Sequence, residues 1–174
     1  KNWSVKLPGE HNRKNLALAL KVSDVLKIKR GIAKNSLANF SGVPGRLEFI
    51  KEIKGVKIYN DTNATTGDAT LAGLKALGMN RNIVLIMGGA DKELRMDNFI
   101  KEIPQYCRAV VLLPGTGTEK IKDKIFNLSL YSREVKSLKK AVSLAMKITK
   151  KGDIVLFSPA FASFGMFKNE YDRG

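Results

Sequence analysis

Ile83-Val84-Leu85-Ile86-Met87-Gly88-Gly89-Ala90-Asp91-Lys92 carries five consecutive apolar residues into a glycine pair and then an acid and a base. A run this short and this apolar fits a strand covered on both faces, as in a parallel sheet, and the glycines mark where it stops. Similar runs occur at Val56–Asn60, Val110–Leu113 and Ile154–Phe157, and the segments between them have helical character near 67–77, 95–103, 117–126 and 135–149. Repeated β-α-β order predicts an α/β fold: a doubly wound, mostly parallel sheet with helices on both faces.

Upstream, Arg46–Lys51 and Val56–Asn60 are β-prone and separated by Glu52–Gly55, which predicts a hairpin. Ser41-Gly42-Val43-Pro44-Gly45 is a run of turn formers and sets the expected boundary between residues 1–43 and 44–174. In the first part, Leu16, Leu20, Val25 and Ile28 recur at roughly helical spacing over 12–29, with Asn12 placed to cap the first turn, and a second helix is expected near 31–39.

The 174 residues include 44% hydrophobic and 27% charged side chains, which suits one full core plus part of a second and excludes collagen-like and disordered classes. Cys107 and His11 are the lone members of their types, so neither an internal disulfide nor a Cys/His zinc site is available; no bound metal and a reducing, cytoplasmic setting are expected. No apolar run approaches the roughly 18–20 residues of a membrane span. The opening Lys1-Asn2-Trp3-Ser4 has neither an initiator Met nor a signal-type apolar region, so the sequence reads as a segment of a longer chain. The net charge of +15 raises the question of nucleic acid. The lysines, however, fall at helix-exposed spacing (Lys120, Lys122, Lys124; Lys136, Lys139, Lys140) without interleaved aromatic platforms, which favours a solvated basic surface and no nucleic-acid partner.

Doubly wound sheets gather function at the carboxyl ends of their strands. Four loops therefore matter: Asn60–Thr66, Gly88–Lys92, Pro114–Thr118 and Ser158–Phe164. Gly115-x-Gly117 does not continue into a dinucleotide fingerprint, and Gly88-Gly89 lacks the Gly-Lys-Ser/Thr of a Walker loop. Lys92, on its glycine turn, is either a solvated loop lysine or a cation set against a carboxylate or phosphate. Asp61, with Thr62 and Thr65, either holds a ribose or ligand carboxylate, or the segment provides an Asx or Thr cap for the helix near 67. Ser158-Pro159-Ala160-Phe161-Ala162-Ser163 either receives an anion at a helix entry or simply caps. Asn12 and Asn15 either cap a helix or meet an adenine edge. His11 is assigned no catalytic role.

Taken in order, Gly9-Glu10-His11-Asn12-Arg13-Lys14-Asn15, Gly45-Arg46-Leu47-Glu48-Phe49, Asn60-Asp61-Thr62-Asn63-Ala64-Thr65 with Ala69-Thr70, Gly88-Gly89-Ala90-Asp91-Lys92, and Ser158–Ser163 with Phe167-Lys168-Asn169 resemble the Mur ligase family, the ATP-dependent amide-forming enzymes of peptidoglycan precursor synthesis. The resemblance covers about residues 7–174. It implies that 1–43 is the end of a central ATP-binding domain and 44–174 a Rossmann-like C-terminal ligase domain, with the UDP-sugar domain and the P-loop half lying elsewhere in the parent chain.

The resemblance further implies ATP as cosubstrate with Mg²⁺, Asn12 and Asn15 near adenine, Arg46 near the phosphates and Asp61 at the ribose. Thr65, Lys92, Ser163 and Phe164 would surround the incoming amino acid, with Lys92 and Arg46 as the catalytic cations. The strings are most similar to the branch that adds D-glutamate to UDP-N-acetylmuramoyl-L-alanine through an acyl phosphate, and the isolated segment is expected to be inactive. The alternatives are another amino-acid ligase of the superfamily, including the folylpolyglutamate type, or, in a different class, a basic nucleic-acid-binding module. Two positions depart from the family pattern: Gly45 stands where His is common before the arginine, and Asn63 where Lys is common after Asp-Ser. Lys92 is expected to carry more of the charge that these changes remove.

Overall fold

In the computed structural model, which describes residues 5–174 and not Lys1-Asn2-Trp3-Ser4, six strands form one sheet. They are β1 (Glu48–Ile53), β2 (Val56–Asn60), β3 (Ile83–Met87), β4 (Cys107–Leu112), β5 (Tyr131–Glu134) and β6 (Ile154–Phe157), in spatial order β1-β2-β6-β3-β4-β5. β1 and β2 pair antiparallel as the expected hairpin, and the other neighbours pair parallel. The connecting helices are α3 (Gly67–Leu77), α4 (Asp97–Tyr106), α5 (Thr116–Phe126) and α6 (Leu138–Ile148).

The apolar run of β3 explains the layering. Successive strand residues point to opposite faces, so Ile83, Leu85 and Met87 pack with Leu74 of α3, Phe99 and Ile103 of α4, and Ile121 and Ile125 of α5. Val84 and Ile86 join Val111, Val155 and the small Ala141 and Ala145 of α6 on the other side. Each of these fully buried Leu or Ile side chains contributes roughly 1.5–3 kcal/mol, so a polar residue in β3 would cost much of that. The sheet is thus wound on both faces, as the sequence predicts.

Several boundaries differ from expectation. β5 occupies 131–134, between the expected helices 117–126 and 135–149 where no strand is expected, and α6 begins at Leu138 rather than 135, where the Ser137 hydroxyl accepts the Lys140 N–H. α4 continues to Tyr106 with Pro104 inside its last turn. A four-residue helix, α7 (Glu170–Arg173), follows β6.

The backbone forms two compact units divided between Val43 and Pro44. The first contains α1 (Glu10–Val25) and α2 (Arg30–Asn39). α1 ends at Val25 rather than at 29, with the chain turning through Lys27 at φ 56°. Asn12 is not its cap: Gly9 occupies that position, and the Asn12 amide donates to the Pro8 carbonyl at 2.7 Å. Among the described residues no helix is long and apolar enough to cross a membrane.

Candidate functional site

In the second unit the loops that leave the carboxyl ends of β2, β3, β4 and β6 are sewn together by their own backbones. The Ala160 N–H donates to the Ala64 carbonyl (2.9 Å), joining the loops after β6 and β2. Ala90 and Ala162 exchange two bonds, at 3.0 and 3.1 Å, joining the loops after β3 and β6. The Gly88 N–H reaches the Pro159 carbonyl (2.9 Å), and the Gly117 N–H reaches the Gly89 carbonyl (3.0 Å). Bonds of this kind fix where side chains on separate loops stand relative to one another, because the loop backbone has few conformations left.

On this framework Lys92 donates through Nζ to the Thr65 hydroxyl at 2.9 Å. Among the described residues no carboxylate pairs with it; the adjacent Asp91 is engaged instead by Lys120 at 2.8 Å. Ser163 is buried one residue beyond the Ala90–Ala162 bridge, and Phe164 beside it is 68% exposed. Thr65, Lys92 and the Ser163–Phe164 pair therefore come from three mutually bonded loops at one edge of the sheet. An exposed aromatic, a lysine without an acid partner and hydroxyl groups are suited to an anionic ligand with a short apolar part.

Asp61 turns the other way. It is 7% exposed, its Oδ1 accepts the Leu47 N–H at 3.0 Å, and its Oδ2 accepts the Ser158 hydroxyl at 2.7 Å. Ser158 Oγ lies 2.9 Å from the Thr70 hydroxyl, so the cluster ties the hairpin, β6 and α3 together. Burial pushes the Asp61 carboxyl up from about 3.8 to about 6, against the opposing pull of Ser158, the Leu47 N–H and the Arg46 charge. The cap of α3 is Thr66, whose hydroxyl accepts the Ala69 N–H at 3.2 Å, so of the Asx or Thr cap expected near 67 it is a threonine, not Asp61, that caps. Arg46 is exposed beside this buried carboxyl. In the first unit Asn12 is half-buried and Asn15 exposed, both on α1.

The two positions that depart from the family pattern touch each other. The Asn63 N–H donates to the Gly45 carbonyl at 3.0 Å and its side-chain amide reaches the Pro44 carbonyl at 3.3 Å, while the Gly45 N–H donates to the Glu48 carboxylate at 2.8 Å. Asn63 thus pins the turn that carries Arg46.

One participant had no sequence signal. Arg173, 1% exposed, donates from Nε to the Thr62 hydroxyl (3.1 Å) and from its two terminal nitrogens to the Phe161 carbonyl (3.0 Å) and the Thr62 carbonyl (2.6 Å). It clamps the loop after β2 to the loop after β6. Desolvation lowers its pKa to about 10, with Glu170 opposing, so it stays charged at neutral pH. In sequence, Asp172-Arg173 looks like ordinary solvated surface, and nothing local marks the arginine as buried.

A family model described as "Mur ligase, glutamate ligase domain" matches residues 45–161. The chain belongs to the Mur ligase family. It is 39% identical over 173 residues to the UDP-N-acetylmuramoylalanine–D-glutamate ligase of Caldanaerobacter subterraneus subsp. tengcongensis, covering 98% of this chain and 38% of that protein. It is 40% identical over 174 residues to the ligase of the same description from Roseiflexus sp. (strain RS-1), covering 98% of this chain and 37% of that one. This Mur ligase chain therefore spans well under half the length of the curated relatives it matches.

Among solved structures, the MurF ligase from Thermotoga maritima in complex with ADP superposes with a TM-score of 0.66 at 26% identity, covering 87% of this chain and 35% of that one. The UDP-N-acetylmuramate–alanine ligase of the same organism superposes with a TM-score of 0.73 at 23% identity, over 90% of this chain and 36% of that one, and shares the fold.

Proposed function

We propose that this chain is the C-terminal portion of an ATP-dependent ligase that adds D-glutamate to UDP-N-acetylmuramoyl-L-alanine in cytoplasmic peptidoglycan precursor synthesis. In this reading residues 1–43 are the end of its central ATP-binding domain and 44–174 the domain that receives the amino acid. The observation that carries it is the Lys92 ammonium, free of any acid partner among the described residues, resting on Thr65 where three bonded loops also bring Ser163 and Phe164. D-Glutamate offers two carboxylates and one amine. A lysine with flanking hydroxyls holds the carboxylates and leaves the amine to attack.

Amide formation needs an activated acyl group, supplied by phosphoryl transfer from ATP to the muramoyl-alanine carboxylate; the amine displaces phosphate from the resulting acyl phosphate. In this scheme Arg46 faces the nucleotide phosphates and stabilises their charge, and Asn12 and Asn15 serve the adenine. A ribose contact from Asp61 requires it to exchange one of its two internal partners, Leu47 or Ser158. Mg²⁺, when bound with ATP, would supply charge neutralisation to the triphosphate. Among the described residues no three His, Cys, Asp or Glu side chains converge on a metal position.

The test is phosphate release by the full-length parent with ATP, Mg²⁺, UDP-N-acetylmuramoyl-L-alanine and a panel of amino acids. D-Glutamate is the expected acceptor, and Lys92→Ala should raise its KM about thirtyfold while leaving the KM for ATP unchanged, the loss expected for one charge-assisted contact. The 174-residue chain alone should release none. Preference for a different amino acid would reassign the chain to a sibling ligase.

A further inference from the structure

The Gly115-x-Gly117 loop after β4 is not a nucleotide fingerprint, and the proposed reaction leaves it without a task. Much of its bonding runs to the loop that carries Lys92. The Asp91 N–H donates to the Thr116 hydroxyl at 3.0 Å, and the Lys120 ammonium holds the Asp91 carboxylate at 2.8 Å. The Gly89 N–H donates to Thr118 Oγ1 at 3.3 Å, and that same hydroxyl donates to the Leu113 carbonyl at 2.6 Å. The two loops are pressed so close that a Cβ at Gly115, whose φ is +152°, would lie 2.2 Å from the Gly89 carbonyl oxygen. Glycine at 115 is what lets the loops meet.

We infer that Thr116 and Lys120 are positioning residues for Lys92: they hold Asp91 by its N–H and its carboxylate, and so fix the direction in which the next residue presents its ammonium. Lys120 performs a second service. It occupies the Asp91 carboxylate, which would otherwise compete with substrate for the neighbouring Lys92. The inference rests on the reading that Lys92 holds the acidic amino acid. Both residues are exposed and neither packs in the core, so replacing them does not empty the fold.

The experiment is a kinetic comparison in the full-length enzyme of wild type, Thr116→Val, Lys120→Met, the double variant, Lys120→Arg and Lys92→Ala. An exposed ion pair and one neutral hydrogen bond are together worth about a fivefold change in binding. The double variant should therefore raise the KM for D-glutamate about fivefold, leave the KM for ATP and kcat at saturating D-glutamate unchanged, and each single variant should give part of the effect. Lys120→Arg should restore wild-type KM. In the Lys92→Ala background the double variant should add nothing.

If Lys92→Ala raises the KM but the double variant leaves it at the wild-type value, or if the double variant's effect persists without Lys92, the positioning role is wrong. If Lys92→Ala itself leaves the KM unchanged, the reading of Lys92 as the amino-acid cation fails first.

Discussion

The two ends of the sheet bury charge in opposite ways. At the amino end, Arg108 at the start of β4 pairs directly with Asp153 before β6. Asp153 also accepts the Lys150 N–H at 2.8 Å, and Gly152 donates its N–H to the Gly55 carbonyl at 2.9 Å. Opposite charges cancel there on the spot. At the carboxyl end, the buried Asp61 and the buried Arg173 each bond to neutral groups, and among the described residues neither forms an ion pair. The first end is a self-paired seam. The second spends backbone N–H groups, hydroxyls and carbonyls to fix its loops, and so leaves the charge of Lys92 uncancelled.

Breaking the clamp tests this contrast most severely. Arg173→Met keeps an apolar stem but leaves the carbonyls of Thr62 and Phe161 without their donors, at a cost of about 3 kcal/mol by the usual penalty for unsatisfied buried groups. Urea denaturation should show that loss, and in the full-length enzyme the KM for D-glutamate should rise because the Thr65 and Ser163 loops separate. A loss below about 1 kcal/mol would mean that water replaces the guanidinium and the clamp is dispensable.

Asp61 gives the next largest effect. Its carboxyl holds a proton more tightly in the folded chain, at about 6, than in the unfolded one, near 3.8. Stability contributed by this group is therefore full at acid pH, declines as pH rises between those values and stays level above about 6, a total on the order of 2–3 kcal/mol. Asp61→Asn should remove that part of the slope, since an amide still accepts from Leu47 and faces Ser158. Denaturation of both proteins at intervals between pH 4 and pH 7 measures it, and parallel curves would show that the carboxyl is not shielded from water.

These residues also show what a sequence discloses. β3 and β6 could be placed to the residue because an all-apolar run of four or five has few other homes. β5 could not: Tyr131-Ser132-Arg133-Glu134 is polar because it is an edge strand with one partner, so it lacks the signature of its buried neighbours. The loops that meet were legible, because small and hydroxyl residues follow each strand. Which way Asp61 turns was not, since its direction depends on Leu47 and Ser158, 14 and 97 residues away. Arg173 was hidden for the same reason: its partners lie 111 and 12 residues back, and nothing local marks an arginine as buried.

The amino end supplies the control. Arg108→Met removes the cation from Asp153, whose side chain is only 3% exposed, but the arginine itself is 35% exposed, so water can enter where the guanidinium stood. The Lys150 N–H remains to hold the carboxylate. The expected loss is about 1 kcal/mol, well under the figure for a fully enclosed pair. Because this seam lies at the opposite end of the strands from Lys92, the KM for D-glutamate should not move. Urea denaturation and steady-state kinetics on the same variant check both halves. A rise in KM comparable to that of Arg173→Met would mean that the strands transmit strain from one end to the other, and that the division of labour between a self-paired seam and a substrate-facing edge does not hold.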